Sequence, residues 1–218
     1  VEGLRLINPA IPVIPIVIAI IAGLFFIQQF GTMFIGKSFG PIMTVWFVML
    51  GTLGVAQFLQ NPIVLKAFNP YYAFLLLTQT SGGFLLLAAV FLCTTGAEAL
   101  YADLGHCGLR NIRASWVFVK IMLILNYLGQ GAWILNNIHS LGPDTNPFFM
   151  IIPQWFLPVG ILMATLAAII ASQALISGSY TLISEAISLN FWPHARIKYP
   201  SVFRGQMYIP SVNLMLFV

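Results

Sequence analysis

One apolar stretch of the chain carries polar residues that could bind a cation and transfer a proton. Residues 84–93 are almost all apolar, and Thr94, Thr95, Gly96 and Glu98 follow them. Threonine hydroxyls, and backbone carbonyls freed by a helix break at glycine, are oxygen ligands suited to an alkali cation. Glu98 can take up and release a proton, and a charge near the middle of a bilayer costs on the order of 2.5–3.5 kcal/mol, so such residues are usually functional. The pattern predicts a cation site with a proton-carrying carboxyl group. The alternative is that Glu98 pairs with a basic or amide group of a neighbouring helix.

Two further side chains of this stretch could take part in the same chemistry. Tyr101 follows Glu98 by three residues, so a helix would present both on one face. It could hydrogen-bond the carboxyl group or serve as an interfacial aromatic. Asp103 could join the ion path, or it could act as a helix cap or as a partner of Arg110 or Arg113.

Amide and hydroxyl groups recur in two other apolar stretches. Asn126 and Gln130 are four residues apart, hence on one helical face, and Gly129 beside them permits a close approach of helices. They either hold helices together or support a broken helix at the cation site. Ser172 and Gln173 lie in a stretch of small residues. Such a stretch most often packs tightly against another helix, and a role in a cation pathway is the alternative.

The composition indicates which class of protein holds these groups in place. Of 218 residues, 60% are hydrophobic and 6% are charged, and the mean hydropathy is +0.95. A soluble domain carries about 25% charged residues. This composition excludes a soluble enzyme, a disordered segment and a nucleic-acid-binding domain. It predicts an all-α polytopic membrane protein whose surroundings are the lipid bilayer.

The apolar stretches predict five membrane spans and the beginning of a sixth, because a span needs about 20 apolar residues. Spans a to f cover residues 11–30, 41–60, 84–103, 114–135, 149–187 and 209–218, in one transmembrane domain. Pro41 is expected to begin span b at its first turn. Because residue 1 is Val and the sequence stops within an apolar run, we expect an internal segment. Its missing amino- and carboxyl-terminal parts would be its partners.

The basic residues predict the orientation of these spans. The connections after spans a, c and e hold six of them: Lys37, Arg110, Arg113, Arg196, Lys198 and Arg204. The opposite side holds Arg5 and Lys66, while Lys120 lies early in span d. Because basic residues favour the cytoplasm, the connection after span a is predicted to be cytoplasmic.

Motifs for other activities are missing from the sequence. It contains neither the phosphate-binding pattern G-x-x-x-x-G-K-[ST] nor the zinc-binding pattern H-E-x-x-H. Cys93 and Cys107 form no C-x-x-C pair, so neither a disulfide nor a metal site is expected. We therefore predict a protein that is not an enzyme and has no cofactor. A membrane enzyme would need an acidic or histidine cluster, which only His106 with Asp103 approaches.

Two other transport functions remain as alternatives. An amino acid permease would need hydrogen-bond donors for a substrate carboxylate, whereas this stretch carries a carboxylate of its own. A channel would need a repeated filter or a ring of charges, and the sequence has neither.

Ordered blocks along the whole chain resemble the Kup/HAK/KT potassium uptake family. Residues 95–106 closely resemble its sixth-span pattern T-G-x-E-A-L-Y-A-D-M/L-G-H. Residues 36–47 look like its G-K-x-F-G-P-x-M…W-F, and residues 125–132 match its L-N-Y-x-G-Q-G-A. The departures are Ala97 for the usual Val and Cys107 for the usual Phe. Shorter blocks agree at residues 1–4, 146–149, 170–178 and 205–213.

The resemblance implies a fold, a function and roles for particular residues. The family is similar to the amino acid–polyamine–organocation superfamily, with a LeuT-like bundle of two inverted five-helix repeats. Spans a to f would be its spans four to nine. It implies potassium uptake by proton symport across the bacterial inner membrane, with potassium and the proton as transported species. Thr95 matches a potassium ligand, and Glu98 matches the proton-coupling carboxylate. The oligomeric state stays open, a homodimer included.

Overall fold

The chain is helical in the computed structural model, which describes residues 3–8, 10–28, 33–80, 82–93, 108–140, 142, 145–199 and 207–217. The α-helices are α1 (Leu4–Ile7), α2 (Val13–Ile27), α3 (Met33–Phe58), α4 (Pro70–Gln79), α5 (Gly83–Cys93), α6 (Leu109–Asn136), α7 (Pro147–Met150), α8 (Leu157–Ser188) and α9 (Pro210–Phe217). Two 3₁₀ helices cover Pro62–Phe68 and Ile138–Ser140. Within the described ranges the extended pairing is one antiparallel bridge between Lys198 and Tyr208. The predicted all-α class is confirmed.

Three of the described helices are long and apolar enough to cross a bilayer. They are Ser38–Phe58 within α3, the whole of α6 and the whole of α8. Shorter apolar helices, Val13–Ile27 and Gly83–Leu92, overlap the predicted spans a and c. At a rise of 1.5 Å per residue α8 is about 48 Å long. It therefore exceeds the hydrocarbon core of a bilayer, which is about 30 Å thick.

The start of α3 differs from the expectation drawn from Pro41. The helix begins at Met33, and Pro41 lies inside it rather than at its first turn. Proline has no N–H group and its ring crowds the preceding turn, so it usually ends or kinks a helix. In an apolar membrane helix it is tolerated, because neighbouring groups can satisfy the freed carbonyls.

Asn-Pro pairs begin three of the described helical segments. The side-chain oxygens of Asn61, Asn69 and Asn146 accept hydrogen bonds from backbone N–H groups two residues on, at 3.3, 3.0 and 3.1 Å. In each case proline occupies the next position, where its missing N–H group is not needed. The asparagine caps an N–H group that a helix start leaves unpaired. These starts are thus determined by local chemistry.

One compact unit contains α1, α2, the first part of α3, α8 and α9. Its core is a buried cluster of Ile176, Tyr180, Ile209 and Val212, with Phe25 packed against it. The Tyr180 hydroxyl donates a hydrogen bond of 2.5 Å to the side-chain oxygen of Asn213. The Asn213 amide in turn donates to the backbone carbonyl of Phe25 at 3.5 Å. These bonds tie α2, α8 and α9 together.

A second compact unit contains the later part of α3, the helices α4 to α7 and the 3₁₀ segments. Within it α3 and α6 cross at Gly54 and Gly129. A Cβ atom built on Gly129 would lie 2.5 Å from the Cα atom of Gly54, which no real structure allows. The two backbones are therefore in direct contact, as the glycine at position 129 led us to expect. Beyond the crossing, Asn61 donates a side-chain hydrogen bond to Asn136 at 2.7 Å.

Candidate functional site

The central part of the candidate site lies outside the described residues. The structure describes α5 up to Cys93 and continues at Gly108. The predicted site residues between them are Thr94, Thr95, Gly96, Glu98, Tyr101 and Asp103. Their roles stay predictions. Of the other predicted site residues, the structure describes Asn126 and Gln130 on α6, and Ser172 and Gln173 on α8. The two helices belong to different compact units.

Asn126 is buried at the crossing of α3 and α6. Only 5% of its surface is exposed. A Cβ atom on Gly54 would come within 2.7 Å of the Asn126 Cα atom, so α3 packs directly on the backbone that carries this side chain. Its side-chain oxygen Oδ1 is buried and accepts no hydrogen bond within the described part of the chain. A buried oxygen without a partner is an acceptor that a water molecule or a cation can use.

Gln130 lies one turn further along α6 and is half-buried. It is four residues from Asn126, so the two amides lie on the same side of the helix. Gly129 between them supplies the contact with Gly54. The face that carries both amides is therefore the one next to a fixed helix crossing, and the backbone contact restricts where the amides can move.

Gln173 forms a buried amide pair that sequence reasoning missed. The Nε2 atom of Gln28 donates a hydrogen bond of 2.5 Å to the Oε1 atom of Gln173. The two side chains are 5% and 4% exposed. The Nε2 atom of Gln173 is buried and has no acceptor in the described part of the chain. The available signal was that Gln28 is a polar residue near the end of predicted span a.

The amide pair joins α8 to the residue that follows α2. Gln28 caps α2, because its backbone N–H group bonds to the Leu24 carbonyl. A polar pair between apolar helices fixes their register, since an unpaired amide in such surroundings is costly. Ser172, next to Gln173, is half-buried. Within the small-residue stretch on α8, Gln173 therefore makes a specific contact with the end of α2.

We expect Gln28→Leu to cost more stability than replacement of both glutamines. The single change removes the one partner that the Gln173 amide has among the described residues and should lower the free energy of unfolding by about 1–3 kcal/mol. The pair Gln28→Leu and Gln173→Leu replaces both groups by apolar side chains of similar length, which can be nearly neutral. Thermal unfolding of the purified full-length transporter containing this segment, as a double-mutant cycle, measures the coupling. Additive losses would contradict the pairing.

The comparisons with known proteins agree with the apolar helices. A family model described as the integral membrane domain of K+ potassium transporters matches residues 1–218. The chain belongs to this potassium transporter family. The family is one of transporters and not of enzymes, as the sequence predicted. The resemblance drawn from the sequence blocks is confirmed, and the chain belongs to an integral membrane domain. Three helices within the described ranges have membrane-spanning length.

Similar proteins carry the same kind of name. A probable potassium transport system protein Kup of Cytophaga hutchinsonii is 64% identical over 221 residues, covering 99% of this chain and 34% of that protein. One of Flavobacterium psychrophilum is 58% identical over 221 residues, covering 99% and 34%. One of Clostridium perfringens is 53% identical over 212 residues, covering 94% and 32%. The potassium transporter chain thus spans about a third of the length of these relatives. No solved structure matches it.

Proposed function

We propose that this chain is part of the membrane domain of a potassium uptake transporter that couples potassium entry to proton entry. The observation that carries the proposal is the match of the potassium transporter family model to the whole chain. The full transporter would have a LeuT-like inverted-repeat bundle and would lie in the bacterial inner membrane. The relatives named as probable potassium transport proteins come from bacteria, which supports that location.

The potassium ligands in this proposal are Thr95, Gly96 and Thr94. Their support is chemical: hydroxyl oxygens and backbone carbonyls can replace the water around a potassium ion. A helix broken at Gly96 would direct its carbonyls toward an ion near the middle of the membrane. The other half of the site would come from a part of the transporter outside this segment.

Glu98 is the proton-coupling group of the proposed transporter. It would take up a proton from the outer side and release it to the cytoplasm as the site alternates between the two sides. No other carboxylate of the sequence lies deep in a predicted span. Tyr101, one helical turn away, would hydrogen-bond this carboxyl group, and Asp103 would stand at the cytoplasmic end of the path. The proton and the potassium ion are then the transported species, and no cofactor is involved.

The amides of α6 and α8 would support the proposed site. The buried side-chain oxygen of Asn126 accepts no hydrogen bond from the described residues, and this oxygen could hold a water molecule or an ion during transport. Gln130 would assist on the same helical face. Gln173 is fixed by Gln28, so the proposal gives it a positioning role, with Ser172 beside it on the pathway. Whether two copies of the transporter associate does not alter these roles.

The proposal is tested by ion uptake into cells that lack their own potassium uptake systems. The full-length transporter containing this segment is expressed, and rubidium influx is measured at two external pH values, with potassium as competitor. We expect influx that potassium inhibits and that external acid stimulates. A well-expressed protein without any cation influx would contradict the proposal and favour an amino acid permease. Potassium influx that does not depend on external pH would contradict the proton symport but not the transport of potassium.

Thr95→Ala is expected to weaken potassium binding more than it slows transport at saturation. We expect the loss of one hydroxyl ligand to cost about as much as the loss of a hydrogen bond to a charged group, about 1.5–3 kcal/mol, which corresponds to roughly a tenfold to hundredfold rise in the KM for potassium. The measurement is the concentration dependence of rubidium influx. Thr95→Ser, which keeps the hydroxyl group, is the matched control and should stay close to wild type. An unchanged KM in Thr95→Ala would remove Thr95 from the proposed site.

A further inference from the structure

The connection between α8 and α9 presents a row of basic side chains on one face. After α8 ends at Ser188, Asn190 adopts a left-handed conformation with φ +59°, and the chain turns away from the helix. Turns of this kind close the carboxyl ends of many helices. The N–H groups of Phe191 and Trp192 both bond to the Ala186 carbonyl, at 2.8 and 3.2 Å. The connection therefore leaves α8 in a defined direction.

An extended segment follows, and its two faces differ. Lys198 pairs with Tyr208 through two backbone hydrogen bonds of 2.9 and 2.8 Å. Ala195 and Ile197 pack against the buried core cluster of α8 and α9. Side chains alternate along an extended chain, so residues 194, 196 and 198 point to the opposite face.

These three side chains, His194, Arg196 and Lys198, are exposed and line a single cavity of about 610 Å³. The same cavity is lined by Trp192 and by Ser211 in the first turn of α9. Pro193, Ala195 and Pro210 also line it, so its wall is partly apolar. The described carboxylate of α8, that of Glu185, does not line the cavity. The polar side chains that line it are basic or carry a hydroxyl group, so its ligand should be an anion with several oxygen atoms.

The position of the cavity indicates which kind of anion it binds. It lies where the membrane-length helix α8 ends and α9 begins. The end of a membrane-spanning helix is expected near the lipid headgroups. Trp192, which is 39% exposed, is typical of side chains that lie at the membrane–water boundary. The distribution of basic residues predicts that this end faces the cytoplasm, and the cytoplasmic leaflet carries anionic lipids.

We propose that the cavity between α8 and α9 binds the phosphodiester headgroup of an anionic phospholipid. Arg196 and Lys198 would contact the phosphate oxygens, and His194 and Ser211 would add hydrogen bonds. Trp192 would pack beside the glycerol and the upper acyl chains. This site contains none of the residues predicted to bind potassium, and the proposal does not depend on proton coupling. It depends on the membrane orientation predicted from the basic residues.

The test titrates the purified, delipidated full-length transporter with phosphatidylglycerol and, separately, with phosphatidylcholine, and counts bound lipid by native mass spectrometry. We expect the wild type to prefer phosphatidylglycerol. Each basic side chain near an anionic lipid accounts for about fivefold in affinity, so Arg196→Gln with Lys198→Gln should weaken the tightest site about 25-fold. The swap of Arg196→Lys with Lys198→Arg keeps both charges and should retain binding.

Arg110→Gln with Arg113→Gln is the matched control, because it removes the same charge from the start of α6 on the same predicted side. It should leave the tightest phosphatidylglycerol site unchanged, and an equal loss in this control would overturn the proposal. No preference for phosphatidylglycerol in the wild type would overturn it as well. Displacement of the lipid by inorganic phosphate at equal concentration would assign the cavity to a soluble anion instead. If the double variant does not fold, Lys198→Gln alone should show the fivefold loss, and its absence would count against the site.

Discussion

Acid-stimulated potassium influx is expected to disappear when Glu98 is replaced by Gln. Glutamine has nearly the same shape as glutamate but cannot carry a proton, so the variant would lose the coupling step while keeping the space filled. Where proton supply limits the wild type, one unit of external acidification raises the proton concentration, and with it influx, by up to about tenfold. The profile of Glu98→Gln should be flat over the same range. Rubidium influx at several external pH values, with equal amounts of protein in the membrane, measures the difference.

Two controls separate coupling from a structural role of this side chain. Glu98→Asp keeps a carboxyl group and should retain some acid stimulation. Glu185→Gln removes a carboxylate from the exposed end of α8 and should leave the pH profile unchanged. If Glu98→Gln still responds to acid, Glu98 is not the coupling group. Reduced thermal stability with a normal pH profile would instead indicate that Glu98 pairs with a neighbouring helix.

The second large effect is expected at the crossing of α3 and α6. An alanine Cβ atom at position 129 would lie 2.5 Å from the Cα atom of Gly54, and backbone atoms cannot rotate away as a side chain can. The two helices would have to separate, so Gly129→Ala should lower the free energy of unfolding by about 1–3 kcal/mol. The displacement would also move Asn126, whose backbone packs against Gly54. Thermal unfolding of the full-length transporter in detergent measures the loss.

Gly23→Ala is the control for this substitution. A Cβ atom at this position in α2 would meet no atom within 4 Å among the described residues. Alanine favours a helix over glycine by about 1 kcal/mol, so this change should leave stability unchanged or raise it. If Gly129→Ala is as stable as Gly23→Ala, the close contact between α3 and α6 does not exist in the full transporter. Gly54→Ala should behave like Gly129→Ala, because both report the same contact.

Local features made much of the fold predictable. The small share of charged residues and the long apolar runs are enough to assign an all-α membrane protein, because hydrocarbon accepts no exposed backbone polar groups. The Asn-Pro pairs at positions 61, 69 and 146 begin helical segments through contacts within two residues. The start of α3 was not predictable in this way. Proline usually ends or kinks a helix, whereas Pro41 lies inside α3.

The candidate site also has features that were predictable from the sequence and features that were not. The polar run from Thr94 to Asp103 was visible in the sequence because polar residues are rare in apolar spans, and its roles rest on that chemistry. The packing of Asn126 against Gly54 and the hydrogen bond of Gln173 were not visible. Gln28 and Gln173 are 145 positions apart, and no local pattern joins them.

By itself, the sequence determined the class of the protein, its family and the residue types available for ion transport, because composition, hydropathy and motifs are properties of the linear chain. Only the tertiary structure decided that Gly54 meets Gly129 and that Gln28 binds Gln173. It also decided that Arg196 and Lys198 line one cavity with Ser211. These contacts depend on how distant helices and segments pack, and that packing follows from steric fit across the whole molecule rather than from any local preference.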